Sequence, residues 1–472
     1  MAERGSRRND PGGFSVQSSV SSRQDLVQWE NGSIETCTLM SWLGYGPEII
    51  QARRDAYMEW GRLMTARACG AATVILTGSK AEGLTRFLES DRDIMFVHSS
   101  AMCIEDGVNA DNSPREITVF RSYSRMSYPG HCILLLERRG TIIDSELNDA
   151  LCDNGYGQEL ISSDLYVHSF SKFQFEESIV QHDRAGPSRP VTLHGGLHSD
   201  LVHAFRYNCP NILSQWASRP RYWPLPKVVQ QVVSLGAFLS PVGFKGSEYQ
   251  HVEWRVCFNT AEIELVNNLN DTQIKVYVLL KMVKRDVLNP LKKEISSYTL
   301  KNIVLWIAEN NPQSSFHERS MLHWLHEGLD ALRVALVTRE LPYYMIPNRN
   351  LMAACGLEEE QQRTWIATLT EMMDEGPRMI LRLPKIRQVL IAHPEPFRWY
   401  TRRRTEIELL RLMIMNRMAL CMDENGEVDE THVTLQTLHN RENMILREFY
   451  LRMSMEGSRV NNLNDVLEGM LM

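Results

Sequence analysis

The hydrophobic patterns along this 472-residue chain predict an α+β fold built as two lobes. Three observations carry the prediction. One long amphipathic pattern occupies residues 46–68. Short apolar runs between turn residues follow as far as residue 205, and beyond Pro226 most patterns have helical period. Together they describe a mixed-sheet lobe joined to a long spine helix, then a C-terminal helical lobe, with a cleft between the two.

The 46–68 pattern places Ile50, Tyr57, Trp60 and Met64 on one stripe, and Arg53, Arg54, Arg62 and Arg67 on the other face. Strands are predicted at 72–76, 93–97, 117–120, 132–137 and 201–205. Gly186-Pro-Ser-Arg-Pro190 and Gly195-Gly196 mark irregular connections between them. Helices are predicted at 227–235, 260–268, 272–287 and 298–309, and again at 407–418 and 442–455. The domains read as a flexible tail over 1–25, a strand-rich lobe with its spine helix over 45–225, a helical lobe over 226–395, and an additional helical tail over 396–472.

Composition narrows the class. Hydrophobic residues make 43% of the chain and charged residues 23%, as in ordinary globular proteins. No apolar run is long enough for a transmembrane helix, and the first residues lack the apolar core of a secretory signal. The nine cysteines are scattered singly, which suits a reduced, cytoplasmic setting and offers no paired ligands for a structural zinc. A net charge of −7 argues against a generic nucleic-acid binder. Residues 377–404 depart from that balance, with eight Lys or Arg against the single acid Glu395. Such a block suits either phosphate contact or a solvated helix face.

The chemistry concentrates in Leu76-Thr-Gly-Ser-Lys80 and, twelve residues after Ser79, Asp91-Arg-Asp93 at the start of an apolar strand. Residues two apart on a strand share a face, so Asp91 and Asp93 present their carboxylates together. Like charges that close call for a cation, and hard oxygen ligands favour Mg²⁺ or Mn²⁺. Gly78 lets backbone amides approach a triphosphate, and the Ser79 hydroxyl can donate to it. This is a nucleotidyltransferase arrangement. A third acid is needed for two ions, and Asp200, before the apolar run 201–205, is the candidate. A rival zinc site of His194, His198 and Asp200 is disfavoured, because Gly195 and Gly196 separate its histidines.

Further blocks make a resemblance visible. Thr77-Gly-Ser79, Asp91-x-Asp93 and the 200–205 strand are followed by Trp223-Pro224, Pro241-Val-Gly243, Glu253-Trp-Arg-Val-Cys-Phe258 and Ala261-Glu262. Next come Leu279-Leu-Lys281, Ser296-Ser-Tyr-Thr-Leu-Lys301, Asn311-Pro312, Tyr344-Met-Ile-Pro347 and Asn350-Leu351. In this order, over roughly residues 45–395, the chain resembles the Mab-21 domain family and, within it, the cGAS-like receptors.

The resemblance implies roles position by position. Gly78 and Ser79 would bind a triphosphate, and Asp91, Asp93 and Asp200 two Mg²⁺ or Mn²⁺ ions. Arg255 and Glu262 would read a base, Lys281 would contact phosphate or base, Ser297 would touch phosphate, and Tyr298 would stack on a base. Taken as residues alone, Tyr298 also suits a core aromatic, Lys281 a solvated helix position and Arg255 an ion pair with Glu253. Cys257 and Asn259 replace serines found in vertebrate cyclic GMP-AMP synthase, which leaves the choice of bases open. The vertebrate zinc insert is missing between Leu265 and Lys281.

The function so implied joins ATP and a second NTP into a cyclic dinucleotide, which acts on a downstream receptor in innate immune sensing. Without the zinc insert, double-stranded RNA is favoured over double-stranded DNA as activator, docking near Arg53, Arg54, Arg62 and Arg67 with a ligand-induced oligomer as one possible outcome. A non-catalytic Mab-21 scaffold or developmental regulator is the alternative, and a maker of linear oligoadenylate would keep the same acids.

Overall fold

The computed structural model describes residues 23–142, 144–170, 179–193, 197–289, 294–391, 394–423, 426–457, 462–463 and 465–467. The predicted 1–25 tail lies outside these except for its last three residues, which open a helix. His194, Gly195 and Gly196 of the rival zinc site are also outside them.

Helix α1 (Arg23–Met40) leads through a short π-helical turn into the spine helix α2 (Pro47–Arg67). Pro47 at the first helical position and Glu48 in the first turn suit the α2 start, and Arg67 suits its end. Strand β1 (Ala72–Thr77) and the helical turn α3 (Gly78–Ala81) follow, then β2 (Arg92–Ile104), β3 (Thr118–Tyr123) and β4 (His131–Arg138). Next are α4 (Ser145–Asp149), β5 (Leu151–Asp153), β6 (Glu159–Ile161), α5 (Ser163–Ser169), β7 (Val180–Gln181), β8 (Ser188–Leu193) and β9 (Leu197–Asn208). Helices α6 (Pro210–Ala217) and α7 (Pro226–Leu235) precede β10 (Ala237–Ser240) and β11 (Glu253–Cys257). The rest is helical: α8 (Asn259–Asn267), α9 (Asp271–Val283), α10 (Ser297–Asn310), α11 (Met321–Thr338), α12 (Glu359–Asp374), α13 (Pro384–Ile391), α14 (Pro394–Cys421) and α15 (Val433–Met455).

The fold is α+β, as the patterns predicted. Its mixed sheet runs β1-β2-β3-β4-β11-β10-β9-β8-β7, and β2 also pairs with β9, so the middle strands form a closed circuit. The first half of β2 lies antiparallel to β1, its second half parallel to β3, and β9 runs parallel along its other side. Strands β10 and β11 come from beyond residue 226 and return to the sheet, so the sheet draws on the segment read as a predominantly helical lobe. These short strands sit in irregular sequence with little alternation to betray them.

One continuous core joins sheet and helices, with Trp216, Trp254, Phe120 and Phe205 among its buried side chains. Helix α9 is buried nearly all round, including Gln273 and Lys275, the latter paired with Asp271 at 2.6 Å. Helix α14 lies on the spine helix through Leu412 and Met415 against Tyr57 and Leu76, and α15 packs on α14. No described helix is long and apolar enough to cross a membrane.

Candidate active site

Strand β1 delivers the Thr77-Gly-Ser79 turn to one end of the sheet. Gly78 sits at φ +67°, and a side-chain carbon there would collide with the Asp93 carboxylate, so the turn is open only to glycine. Asp93 is flanked by Thr77 on β1 and by Asp200 on β9, its register partner in each case. Strand β2 opens at Arg92, which alternation turns to the opposite face from Asp93; Asp91 precedes the strand. The Ser188 hydroxyl donates to Asp200 Oδ1 at 3.0 Å. Burial, then the neighbouring Asp200 and Asp91 charges, push the Asp93 carboxyl up to about 7.

Helix α9 brings Lys281 across to this turn, where Nζ donates to Ser79 Oγ at 2.9 Å. Burial lowers the Lys281 ammonium to about 8. It is no solvated helix residue. The Ser79 oxygen accepts from Lys281, which leaves its own O–H free to donate outward.

The opposing wall comes from β11, α8 and α10. A cleft of about 510 Å³ is lined by Gly78, Ser79 and Asp93 on one side, and by Arg255, Glu262, Ser297 and Tyr298 on the other. Asp91, Asp200 and Lys281 are not among its lining residues; Asp200 is paired in register with Asp93, and Lys281 bonds Ser79. Arg255 does not pair with Glu253, whose carboxylate accepts from Phe244 N–H at 2.9 Å and from the Ser247 hydroxyl at 2.9 Å. Glu262 is at the wall, yet its oxygens are engaged: Lys301 Nζ lies 3.1 Å away and the Tyr343 hydroxyl donates at 2.6 Å.

Lys301 was not singled out from the sequence as a site residue. It sits 2.6 Å from Glu82 and 3.1 Å from Glu262, tying the segment after α3 to helix α8. Burial alone lowers such an ammonium, but Glu82 and Glu262 hold it well above its usual range. The available signal was its spacing, one turn after Tyr298 on the same helix face. Arg349, which lines the same cleft, carried no periodic signal.

Residues 272–369, from α9 into α12, match the sequence profile of the Mab-21 protein HhH/H2TH-like domain. Over that segment the chain carries a Mab-21 domain, which supports a place in the Mab-21 family. No curated protein matches the chain. The domain supports kinship with cGAS-like nucleotidyltransferases and, with it, nucleoside triphosphates as the ligand class.

In this Mab-21-domain protein the spine arginines are not the exposed row their spacing suggested. Arg53 is 1% exposed, forms a two-bond ion pair with Glu408 of α14, and donates to the Gly44 and Gly83 carbonyls. Arg54 is half-buried and donates to Glu82 O at 3.0 Å. Arg53 cannot offer its guanidinium to a nucleic acid, because α14 covers it, and Arg54 is already engaged by the segment after α3. Arg62 is exposed but paired with Glu59, and Arg67 donates to the Met422 and Asp423 carbonyls. The basic 377–404 block is likewise engaged at Arg382 with Glu375, Lys385 with Glu89, Arg403 with Glu406, and Arg404 with the Trp42 carbonyl.

The donor set fits a hard divalent cation in type. Asp93 is a carboxyl whose ionised form is disfavoured by burial and by two neighbouring carboxylates, the condition a bound cation relieves. Among the described residues, no three His, Cys, Asp or Glu side chains are grouped to hold a metal ion.

Proposed function

We propose that this Mab-21-domain protein is a metal-dependent nucleotidyltransferase that joins two NTPs, releases pyrophosphate and makes a cyclic dinucleotide. The observation that supports it best is one cleft lined on one side by Gly78, Ser79 and Asp93 and on the other by Arg255, Ser297 and Tyr298. A triphosphate would lie against the Gly78 turn. The Ser79 hydroxyl, its oxygen held by Lys281, would donate to a phosphate oxygen. Tyr298 would offer a ring face to a base, and Ser297 a hydroxyl to phosphate.

Asp93 and Asp200, with Asp91 nearby, would hold Mg²⁺ or Mn²⁺. When bound, such ions neutralise a triphosphate and acidify an attacking hydroxyl. The product would act as a second messenger for a downstream receptor in cytoplasmic innate immune sensing. Double-stranded RNA is the proposed trigger, engaging a surface other than the covered Arg53 and the engaged Arg54.

A non-catalytic scaffold is the second reading, and one observation favours it: Asp200 Oδ1 already accepts from the Ser188 hydroxyl at 3.0 Å. The deciding assay incubates the purified chain with all four labelled NTPs and Mg²⁺ or Mn²⁺, alone or with double-stranded RNA or DNA. A phosphatase-resistant product that disappears in Asp93→Asn and Asp200→Asn is expected. Silence under every condition, with no NTP bound, selects the scaffold.

A further inference from the structure

We infer that Arg349, beside Arg255, reads the base of one bound nucleotide and selects an edge with two adjacent acceptors, as O6 and N7 of guanine provide. The inference rests on the nucleotide-cleft reading above.

Both guanidinium groups line the cleft, together with Tyr298. Among the described residues, neither has a carboxylate within ion-pair distance, and the nearby acids are taken. Glu253 serves Phe244 and Ser247, and Glu262 serves Lys301 and Tyr343. The third polar group of this corner, His131, adds no negative charge. Burial first, then Arg349 and Arg255, lower it to about 3, so it is a neutral imidazole at working pH. Two planar donors without a carboxylate partner therefore line the same space, Arg255 also meeting the Cys257 thiol.

Arg349 is also held in place rather than left to wander. Its guanidinium lies 5.0 Å from the Tyr343 ring centroid, and its one side-chain hydrogen bond, to Val256 O, is a long 3.4 Å. The main chain is fixed by Arg349 N–H to Ile346 O at 2.9 Å and by Tyr343 N–H to Arg349 O at 2.8 Å. Its stem passes over Gly130, where a side-chain carbon would sit 2.7 Å from Arg349 Cδ. Most of its fork is thus unspent and pre-oriented, which suits paired recognition better than a mobile lysine would. Its neighbours are Tyr343, Val256 and Gly130, none of them a partner of Ser79 or Asp93, and Tyr298 stands 5.6 Å from Tyr343, ring to ring. Aromatic faces belong beside a base, which separates this corner from the triphosphate end.

The test measures calorimetric binding of α,β-methylene GTP, ITP, ATP, CTP and UTP, with Mg²⁺, to the full chain and to Arg349→Gln and Arg349→Lys. Wild type is expected to favour the GTP and ITP analogues, which share O6 and N7. Arg349→Gln should weaken those two roughly ten- to hundredfold and leave the ATP analogue unchanged. Arg349→Lys should not restore them, since an ammonium lacks the fork. A wild-type preference for ATP, CTP or UTP overturns the inference. So does an equal loss for all five analogues that Lys repairs, which would mark a phosphate contact. Binding of no analogue by wild type sinks the nucleotide-cleft reading itself, a result distinct from binding without base selection.

Discussion

Arg53 of the spine helix and Glu408 of α14, 355 residues apart in the chain, form a buried ion pair with hydrogen bonds of 2.9 and 2.7 Å. Glu408 also accepts from Phe87 N–H at 3.0 Å, and Arg53 donates to Gly83 O at 3.2 Å. The pair therefore fastens the C-terminal helix both to the spine and to the segment between the Ser79 turn and β2.

Removing one partner of such a pair leaves an uncompensated buried charge. Glu408→Gln should destabilise the chain by about 3–5 kcal/mol, and Arg53→Met with Glu408→Leu should recover much of that. Chemical denaturation reads both. A loss below about 1 kcal/mol in the single variant would show that the pair is solvent-relaxed.

Asp93 sets a pH dependence. Its folded pKa of about 7 lies above the unfolded value, so the folded chain binds the extra proton between about 4 and 7. The metal-free protein should therefore lose stability as pH rises through that window. Asp93→Asn should stabilise it at pH 8 by at least about 1.4 kcal/mol, the worth of one unit, and by much less at pH 4. Thermal melts in chelator at the two values check this; equal effects at both would contradict it.

Lys301 lies between two buried acids, Glu82 and Glu262. Lys301→Met strands both, with an expected cost of at least about 3 kcal/mol at pH 7. Acidification should shrink the deficit, because protonating the carboxyls removes the buried charge. A pH-independent deficit would point to lost packing instead.

Ser79→Ala removes the hydroxyl expected to donate to phosphate and leaves Lys281 without that partner. Triphosphate affinity should fall by about 1–3 kcal/mol, five- to hundredfold, with nucleoside affinity unchanged. Equal losses for triphosphate and nucleoside would place Ser79 away from the phosphates.

Much of the framework was readable from local pattern. The 46–68 period corresponds to α2, the apolar runs at 72–76, 93–97, 132–137 and 201–205 fall within β1, β2, β4 and β9, and the 117–120 run overlaps β3, which begins one residue later. Strand β2 runs on to Ile104; β5, β6 and β7 escaped notice because they are two or three residues long, and β8 because Gly186-Pro-Ser-Arg-Pro190 reads as an irregular connection while Ser188–Leu193 is strand. Strand β2 begins at Arg92, so the alternation expected to pair Asp91 with Asp93 reaches only Asp93. The arginine face of α2 misled for a definite reason: Arg53 reads as solvent-facing until α14 is laid across it.

By itself, then, the sequence determined the α+β class, the principal strands and helices and the glycine turn at Gly78. These depend on backbone geometry over a few residues. Only the tertiary structure decided that Asp200 falls opposite Asp93, that Lys301 engages Glu262, and that Arg349 joins Arg255 in the cleft. Periodicity reports which residues share a face; what covers that face, and in what register, is settled by packing between segments distant in the chain.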